Sequence, residues 1–196
     1  MLVSHKHKLV IFTLQRTASQ SIHSSISNLF DVSIDGKKYR HITPGEFANY
    51  IEPFLPEKYY KIAIFRDPIC RCVSLYKKIT SHPLEEKTTF DIWYKKLIKT
   101  NYTWISQYKQ LSVNSEIYVD RLFDFDRIDL FCNFLSSILK TDIKLHHFGR
   151  SNKVHVEISN DVHNHMRSYY KKDIDLYKSI VDAGGELIIN PYQSTP

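Results

Sequence analysis

The sequence predicts an α/β fold, in one domain over residues 1–196, with a central parallel sheet flanked by helices. Two observations indicate it. Short continuous apolar runs, typical of strands buried on both faces of a parallel sheet, recur along the chain. Two of these runs are each followed by a bend and then by apolar residues at helical spacing, an alternation that favours right-handed crossovers between parallel strands. With 196 residues and 42% hydrophobic side chains, the chain is long enough to bury one core.

The first strand is predicted at Leu9–Leu14 (LVIFTL), whose uninterrupted apolar character suits a central position in the sheet. Apolar residues then recur at helical spacing at Ile22, Ile26, Leu29 and Phe30. The intervening segment, Arg16–Ser21, is therefore predicted to be the bend between the end of a strand and the start of a helix.

The second unit begins with a helix signal. Thr43–Glu46 (TPGE) has the pattern of a capping box with proline at the first helical position, and the helix is expected to end near Ile51. Lys61–Phe65 (KIAIF) then predicts a second buried strand. A helix opened by Pro68 follows, so the arrangement of strand, bend and helix occurs twice.

Four further elements complete the expected alternation. Helices are predicted around Thr89–Lys99, Ile128–Leu139 and Met166–Ile180 from their apolar spacing. A third strand is predicted at Glu116–Val119.

The composition narrows the classes of partner and compartment. A formal net charge of +6 and a pI of about 9.1 favour an anionic partner. Three cysteines, Cys70, Cys72 and Cys132, form neither a CxxC pair nor an even disulfide set, which indicates reduced thiols. The apolar run at Leu9–Leu14 is too short to span a bilayer, so a cytoplasmic protein without a transmembrane segment is expected.

The first bend has the residues of an anion site. Free N–H groups at a helix N-terminus and the positive end of the helix dipole attract phosphate or sulfate. Thr17, Ser19 and Ser21 could add hydroxyl donors, Ala18 would let an anion approach the backbone, and Arg16 supplies a fixed charge. The alternative is that a hydroxyl merely caps the helix and the arginine is solvated. The bend lacks the GxxxxGK[ST] spacing, which disfavours an ordinary ATPase or GTPase.

The second bend, Phe65–Tyr76 (FRDPICRCVSLY), has the same design. It puts Arg66 at the carboxyl end of a predicted strand and Ser74 in the first turns of the following helix, so both could bind one anion. Two such strand ends in one sheet could hold the two anionic ends of a bis-anionic nucleotide.

These two segments resemble the motifs of the sulfotransferases that use 3′-phosphoadenosine 5′-phosphosulfate, most closely the carbohydrate-modifying branch. QRTASQS, Gln15–Ser21, stands where that family binds the 5′-phosphosulfate, although the family usually has glycine at Ala18 or Ser19. The family's second motif, RxPxxRxxSxY, binds the 3′-phosphate. Its fixed positions are all matched, by Arg66, Pro68, Arg71, Ser74 and Tyr76. The stretches HITPGEF, VDRLFDF and FGRSNKVH resemble family landmarks in the same order, over nearly the whole chain.

The resemblance implies a P-loop-like architecture and transfer of a sulfuryl group to a hydroxyl of a carbohydrate, with adenosine 3′,5′-bisphosphate as product and without a metal. It implies that Arg66, Ser74, Arg150 and Ser151 bind the 3′-phosphate. Cofactor-binding residues in the first motif would be Arg16, Thr17, Ala18, Ser19, Gln20 and Ser21.

Two catalytic roles follow from the resemblance. Arg16 would stabilise charge on the bridging oxygen, because an arginine cannot act as a proton source. His41, between the two motifs, would be the base that deprotonates the acceptor hydroxyl, with Glu46 as the next candidate. The alternative for His41 is a structural or substrate-contact role.

Two rival functions remain open. A kinase-like phosphotransferase would need a P-loop lysine followed by a serine or threonine that binds magnesium, and that pattern is missing from the first bend. A non-catalytic nucleotide-binding or nucleic-acid-binding protein would agree with the positive charge. No nucleic-acid motif or basic stripe interleaved with aromatics supports nucleic acid as the partner.

Overall fold

A computed structural model of the chain describes residues 1–36, 41–80, 88–100, 106–146 and 156–192. Its strands are β1 (Leu2–Ser4), β2 (Leu9–Phe12), β3 (Val32–Ser33), β4 (Tyr60–Phe65), β5 (Ser112–Val113), β6 (Glu116–Ile117), β7 (Arg121–Asp124) and β8 (Glu186–Ile188). Its α-helices are α1 (Ser19–Ile26), α2 (Pro44–Tyr50), α3 (Pro68–Thr80), α4 (Phe90–Lys99), α5 (Gln107–Leu111), α6 (Ile128–Leu139), α7 (Asn160–Tyr169) and α8 (Lys171–Asp182).

The architecture is α/β, with a central sheet of six strands in the order β3-β1-β2-β4-β7-β8 and helices around it. The predicted fold class is confirmed. The three central strands, β2, β4 and β7, are parallel to one another. The whole sheet is mixed, because the outer strands β1, β3 and β8 pair antiparallel. The turn between β1 and β2 is only four residues long, and a connection this short allows antiparallel pairing alone.

The third parallel strand lies further along the chain than predicted. Glu116–Ile117 pairs with Ser112–Val113 in a separate two-stranded hairpin, and Arg121–Asp124 occupies the place in the main sheet. The hairpin turns through Asn114 and Ser115, which both have left-handed backbone, with φ of 51° and 68°. β7 contains only two large apolar residues, Leu122 and Phe123, and so short an apolar run does not predict a strand.

The predicted helices are present, with one correction. The capping box of α2 is complete, since Thr43 accepts a hydrogen bond from the N–H of Glu46 and the Glu46 side chain accepts one from the N–H of Thr43. The single helix predicted at Met166–Ile180 is instead two helices, α7 and α8, that meet at Tyr170. None of the described helices is long and apolar enough to cross a membrane.

The core lies on both faces of the central sheet, and alternate strand residues belong to opposite faces. One face carries Val10, Phe12, Ala63, Phe65 and Leu122, and it packs against Phe47 of α2 and Ile180 of α8. The other carries Leu9, Ile11, Ile62, Ile64 and Phe123, and it packs against Ile22 of α1 and Phe131 of α6. This packing fixes the carboxyl ends of β2, β4 and β7 side by side at one edge, where the sequence predicts the anion site.

Candidate functional site

The two predicted bends are neighbours at the carboxyl edge of the sheet. Because β2 and β4 are parallel and paired, with Phe12 opposite Ala63, the chain leaves both strands on the same side. The first bend leads into α1 and the second into α3. Helix N-termini therefore gather at this edge, as expected for a ligand site in an α/β sheet.

The first bend is a tight loop with an unusual backbone. Arg16 and Ala18 both have left-handed conformations, with φ of 64° and 61°, although neither is glycine. The hydroxyl of Thr17, which is 1% exposed, donates to the carbonyl oxygen of Leu14 at 3.0 Å. Thr17 therefore closes the loop with its side chain and could offer an anion only its backbone N–H.

Helix α1 begins without a side-chain cap. Its N-cap residue is Ala18, so the interpretation of this bend as an ordinary hydroxyl-capped helix is wrong. Ser19 and Ser21 are largely buried in the first turn and Gln20 is exposed. The backbone N–H groups at the start of α1 have the position and polarity of an anion site.

The two motifs are joined by direct hydrogen bonds. Arg16 donates to the hydroxyl oxygen of Ser74 through both Nε, at 3.0 Å, and Nη2, at 2.8 Å. Arg66 donates through Nη1 to the carbonyl oxygen of Arg16 at 3.2 Å. Two arginines and a serine from the two predicted anion motifs thus lie in one cluster.

Arg66 is held by two residues that the sequence did not reveal. Its backbone N–H donates to Oε1 of Gln107 at 3.1 Å, and Nε2 of Gln107 donates back to its carbonyl oxygen at 2.7 Å. Its guanidinium lies over the ring of Phe125, 4.1 Å from the centroid. Phe125 ends the VDRLFDF stretch, whose resemblance to a family landmark does not predict this contact. No local pattern marks Gln107.

Arg71 of the second motif anchors the first loop. It is 4% exposed, and its Nε donates to the carbonyl oxygen of Gln15 at 2.7 Å. Burial lowers its pKa to about 10, so it stays charged at neutral pH. Tyr76, another fixed position, donates its hydroxyl to the carbonyl oxygen of Thr88. Both residues therefore have structural contacts that explain their presence in the motif.

The two arginines of the cluster give the site positive charge. Burial lowers the pKa of Arg66, and burial together with the nearby charge of Arg66 lowers that of Arg16. Within the described residues neither arginine forms a salt bridge. Their bonds go to a hydroxyl and a carbonyl oxygen. Half-buried guanidiniums with neutral partners fit a phosphate or sulfate group.

His41 lies beside the first loop. Its Nδ1 is 2.6 Å from the carbonyl oxygen of Thr13, an acceptor, so Nδ1 carries the proton and the lone pair of the neutral ring is on Nε2. Glu46 is exposed, and its carboxylate accepts from the N–H of Thr43 at 2.7 Å and from its hydroxyl at 2.9 Å. The capping box thus accounts for Glu46, and His41 stays the predicted base.

Part of the expected site lies outside the described residues. This applies to Arg150 and Ser151 and to the surrounding loop at 147–155. Across the part of the chain that the structure describes, no group of three or more His, Cys, Asp or Glu side chains could hold a metal ion.

Comparison with known proteins identifies the family. Residues 1–142 match the model of the sulfotransferase family, and this range contains both strand-end motifs and His41. No curated protein and no solved structure matches the chain significantly. Because the match covers well over half of the sequence, the chain belongs to the sulfotransferase family.

Proposed function

We propose that this chain transfers a sulfuryl group from 3′-phosphoadenosine 5′-phosphosulfate to a hydroxyl of a carbohydrate acceptor. The observation that carries the proposal is the bonding of Arg16 to Ser74 and of Arg66 to Arg16, which joins both anion motifs in one positively charged cluster. A donor with anionic groups at two separate positions matches a cluster assembled from two strand ends.

The binding roles follow from the position of each residue. The α1 N-terminus and Arg16 would hold the 5′-phosphosulfate, while Arg66 and Ser74 would hold the 3′-phosphate. The Ser74 oxygen accepts from Arg16, which leaves its hydroxyl proton able to donate to a phosphate oxygen. The nucleotide, when bound, supplies the sulfuryl group and an adenosine bisphosphate leaving group.

Two residues would carry the chemistry. The Nε2 lone pair of His41 would accept the proton of the acceptor hydroxyl, with the ring fixed by the bond from Nδ1 to Thr13. Arg16 would neutralise charge that grows on the leaving oxygen, and its two bonds to Ser74 hold the guanidinium in place beforehand. These roles are electrostatic and positional, as in related group transfers.

The carbohydrate acceptor rests on the sequence resemblance to the glycan-modifying branch. The kinase-like alternative is disfavoured because the first loop has no lysine and its threonine is buried and bonded to Leu14. A non-catalytic nucleotide-binding protein is the remaining alternative, and an assay of sulfuryl transfer distinguishes it from the proposed enzyme.

The test combines binding and transfer. Calorimetry should show that adenosine 3′,5′-bisphosphate binds about tenfold or more tightly than adenosine 5′-monophosphate. The full chain, incubated with donor labelled with radioactive sulfur and a panel of neutral and acidic glycans, peptides and phenols, should label a glycan. Equal affinity for the two nucleotides would contradict the donor assignment. Label on a peptide or phenol but on no glycan would contradict the acceptor class, and selective binding without any transfer would favour the non-catalytic rival.

A further inference from the structure

The backbone of Arg66 is clamped by a buried side chain from another part of the chain. Gln107 is 0% exposed and exchanges two hydrogen bonds with Arg66, through Oε1 at 3.1 Å and Nε2 at 2.7 Å. The ladder between β4 and β7 ends one residue earlier, with Phe65 opposite Asp124. The amide of Gln107 therefore acts on Arg66 as a further strand would, satisfying its N–H and its C=O together.

Gln107 is itself fixed by a carboxylate on α8. Asp173 is 1% exposed; its Oδ1 accepts from the N–H of Gln107 at 2.6 Å and from the N–H of Tyr108 at 3.2 Å. Its Oδ2 accepts from the hydroxyl of Ser106 at 2.6 Å. A single buried carboxylate thus anchors the first turn of α5 and, through Gln107, the end of β4.

We propose that Gln107, held by Asp173, is a positioning residue for the 3′-phosphate subsite. It fixes the main chain of Arg66, from which the guanidinium extends toward the nucleotide. This inference rests on the proposed function. Asp173 lies beyond the matched range 1–142, so α8 would contribute to donor binding through a contact outside that range.

The energetic reason is the loss of two buried partners at once. Without the Gln107 amide, the N–H and C=O of Arg66 lose their bonds, and a polar group left buried without a partner is destabilising. Rotation of this peptide would restore hydrogen bonding elsewhere and would redirect the side chain. The first loop, which would bind the 5′ end of the nucleotide, would lose the bond from Arg66 to Arg16 but keep those from Thr17 and Arg71, so the 5′ end should be affected less.

The main variant is Gln107→Met, which keeps the length of the side chain and removes both bonds. We expect its affinity for adenosine 3′,5′-bisphosphate to fall about tenfold or more, and its affinity for adenosine 5′-monophosphate to change less than about threefold. The ratio of the two affinities is the measurement, because a general loss of structure would weaken both nucleotides alike. Gln107→Asn, whose amide is one methylene shorter and cannot reach both the N–H and the C=O of Arg66, should lower the same ratio.

The matched control is Gln110→Met, the same change one turn later in α5, where the amide donates to the carbonyl oxygen of Ser106. It should leave the ratio unchanged. In Asp173→Asn the side-chain oxygen can still accept from the two N–H groups, and the side-chain nitrogen can donate to the Ser106 hydroxyl oxygen, so this variant should retain the ratio. Asp173→Ala loses all three bonds and should lower it. The double variant Gln107→Met with Asp173→Ala should be no worse than Gln107→Met alone, because one residue acts through the other.

The outcomes separate the two levels of the argument. A wild-type protein that binds both nucleotides equally would overturn the proposed function and this inference with it. A wild-type ratio that survives in Gln107→Met and Gln107→Asn would overturn the inference alone. If Gln107→Met fails to fold, Gln107→Asn carries the test, and an unchanged ratio in that variant has the same consequence.

Discussion

We expect Arg71→Met to weaken nucleotide binding strongly while changing the stability of the fold little. Arg71 is buried in α3 and donates to the carbonyl oxygen of Gln15, the residue before Arg16. Methionine has a similar length and no charge, so the variant removes the charge and the donor while largely filling the space.

The magnitude follows from two opposing terms. Burial lowers the pKa of Arg71 from 12.5 to about 10. At about 1.4 kcal/mol per pKa unit, that corresponds to about 3–4 kcal/mol lost in burying the charge. A hydrogen bond from a charged donor returns about 1.5–3 kcal/mol. The two contributions largely cancel, so the free energy of unfolding of Arg71→Met should lie within about 2 kcal/mol of the wild-type value.

Nucleotide binding should respond differently, because the Gln15 carbonyl loses the donor that holds the loop. We expect the affinity for adenosine 3′,5′-bisphosphate to fall about tenfold or more, measured by calorimetry beside urea unfolding. Arg71→Lys is the control: it keeps a charge but buries a more strongly hydrated ammonium, and should be less stable than Arg71→Met. A loss of more than about 3 kcal/mol in Arg71→Met, or normal nucleotide affinity, would refute the reasoning.

Four further substitutions test the assigned roles. Arg16→Ala should lower kcat about a hundredfold or more and change bisphosphate affinity less than about threefold, in steady-state kinetics and calorimetry; weaker binding alone would make Arg16 a ground-state anchor. Arg66→Ala should bring the affinities for bisphosphate and monophosphate together, and retained selectivity would contradict its role at the 3′-phosphate. His41→Ala should lose about 10²- to 10⁴-fold in turnover, and the decline in rate as the pH falls should vanish; an unchanged decline would exclude it as base. Ala18→Val should destabilise the fold by about 1–2 kcal/mol in urea unfolding, since a β-branched residue is strained at φ 61°, while Ala18→Gly should not; equal stabilities would argue against the left-handed loop.

The fold could be predicted where burial imposes a strong local pattern. β4 is buried along its whole length, and a strand buried on both faces must be apolar throughout, so its position was readable. The outer strands β1, β3 and β8 have only two or three residues each, and their pairing depends on distant partners. The third parallel strand is predicted at Glu116–Val119 and not at β7 for a related reason. Ile117, Tyr118 and Val119 are three consecutive apolar residues, whereas β7 has only two.

The two motifs of the candidate site could be predicted from the sequence, but the residues that hold Arg66 in position could not. Each bend is a local sequence event, a strand end followed by a helix start, and both were recognised with Arg16, Arg66 and Ser74. The contact between Gln107 and Arg66 spans 41 positions, and that between Asp173 and Gln107 spans 66. No period or spacing in a single sequence marks such contacts, because the tertiary fold creates them.

The bonds that hold the first loop explain why the two motifs occur together. It has no glycine, although Arg16 and Ala18 adopt left-handed backbone that costs about 1 kcal/mol or more at each such residue. Three side-chain bonds to loop carbonyls hold this shape. Thr17 donates to Leu14, Arg71 to Gln15 and Arg66 to Arg16. Two of the three donors belong to the second motif, so that motif shapes the first loop in addition to its proposed contact with the nucleotide. A change at Arg71 should therefore disturb the site for the 5′-phosphosulfate, even though it lies in the sequence that the family uses for the 3′-phosphate.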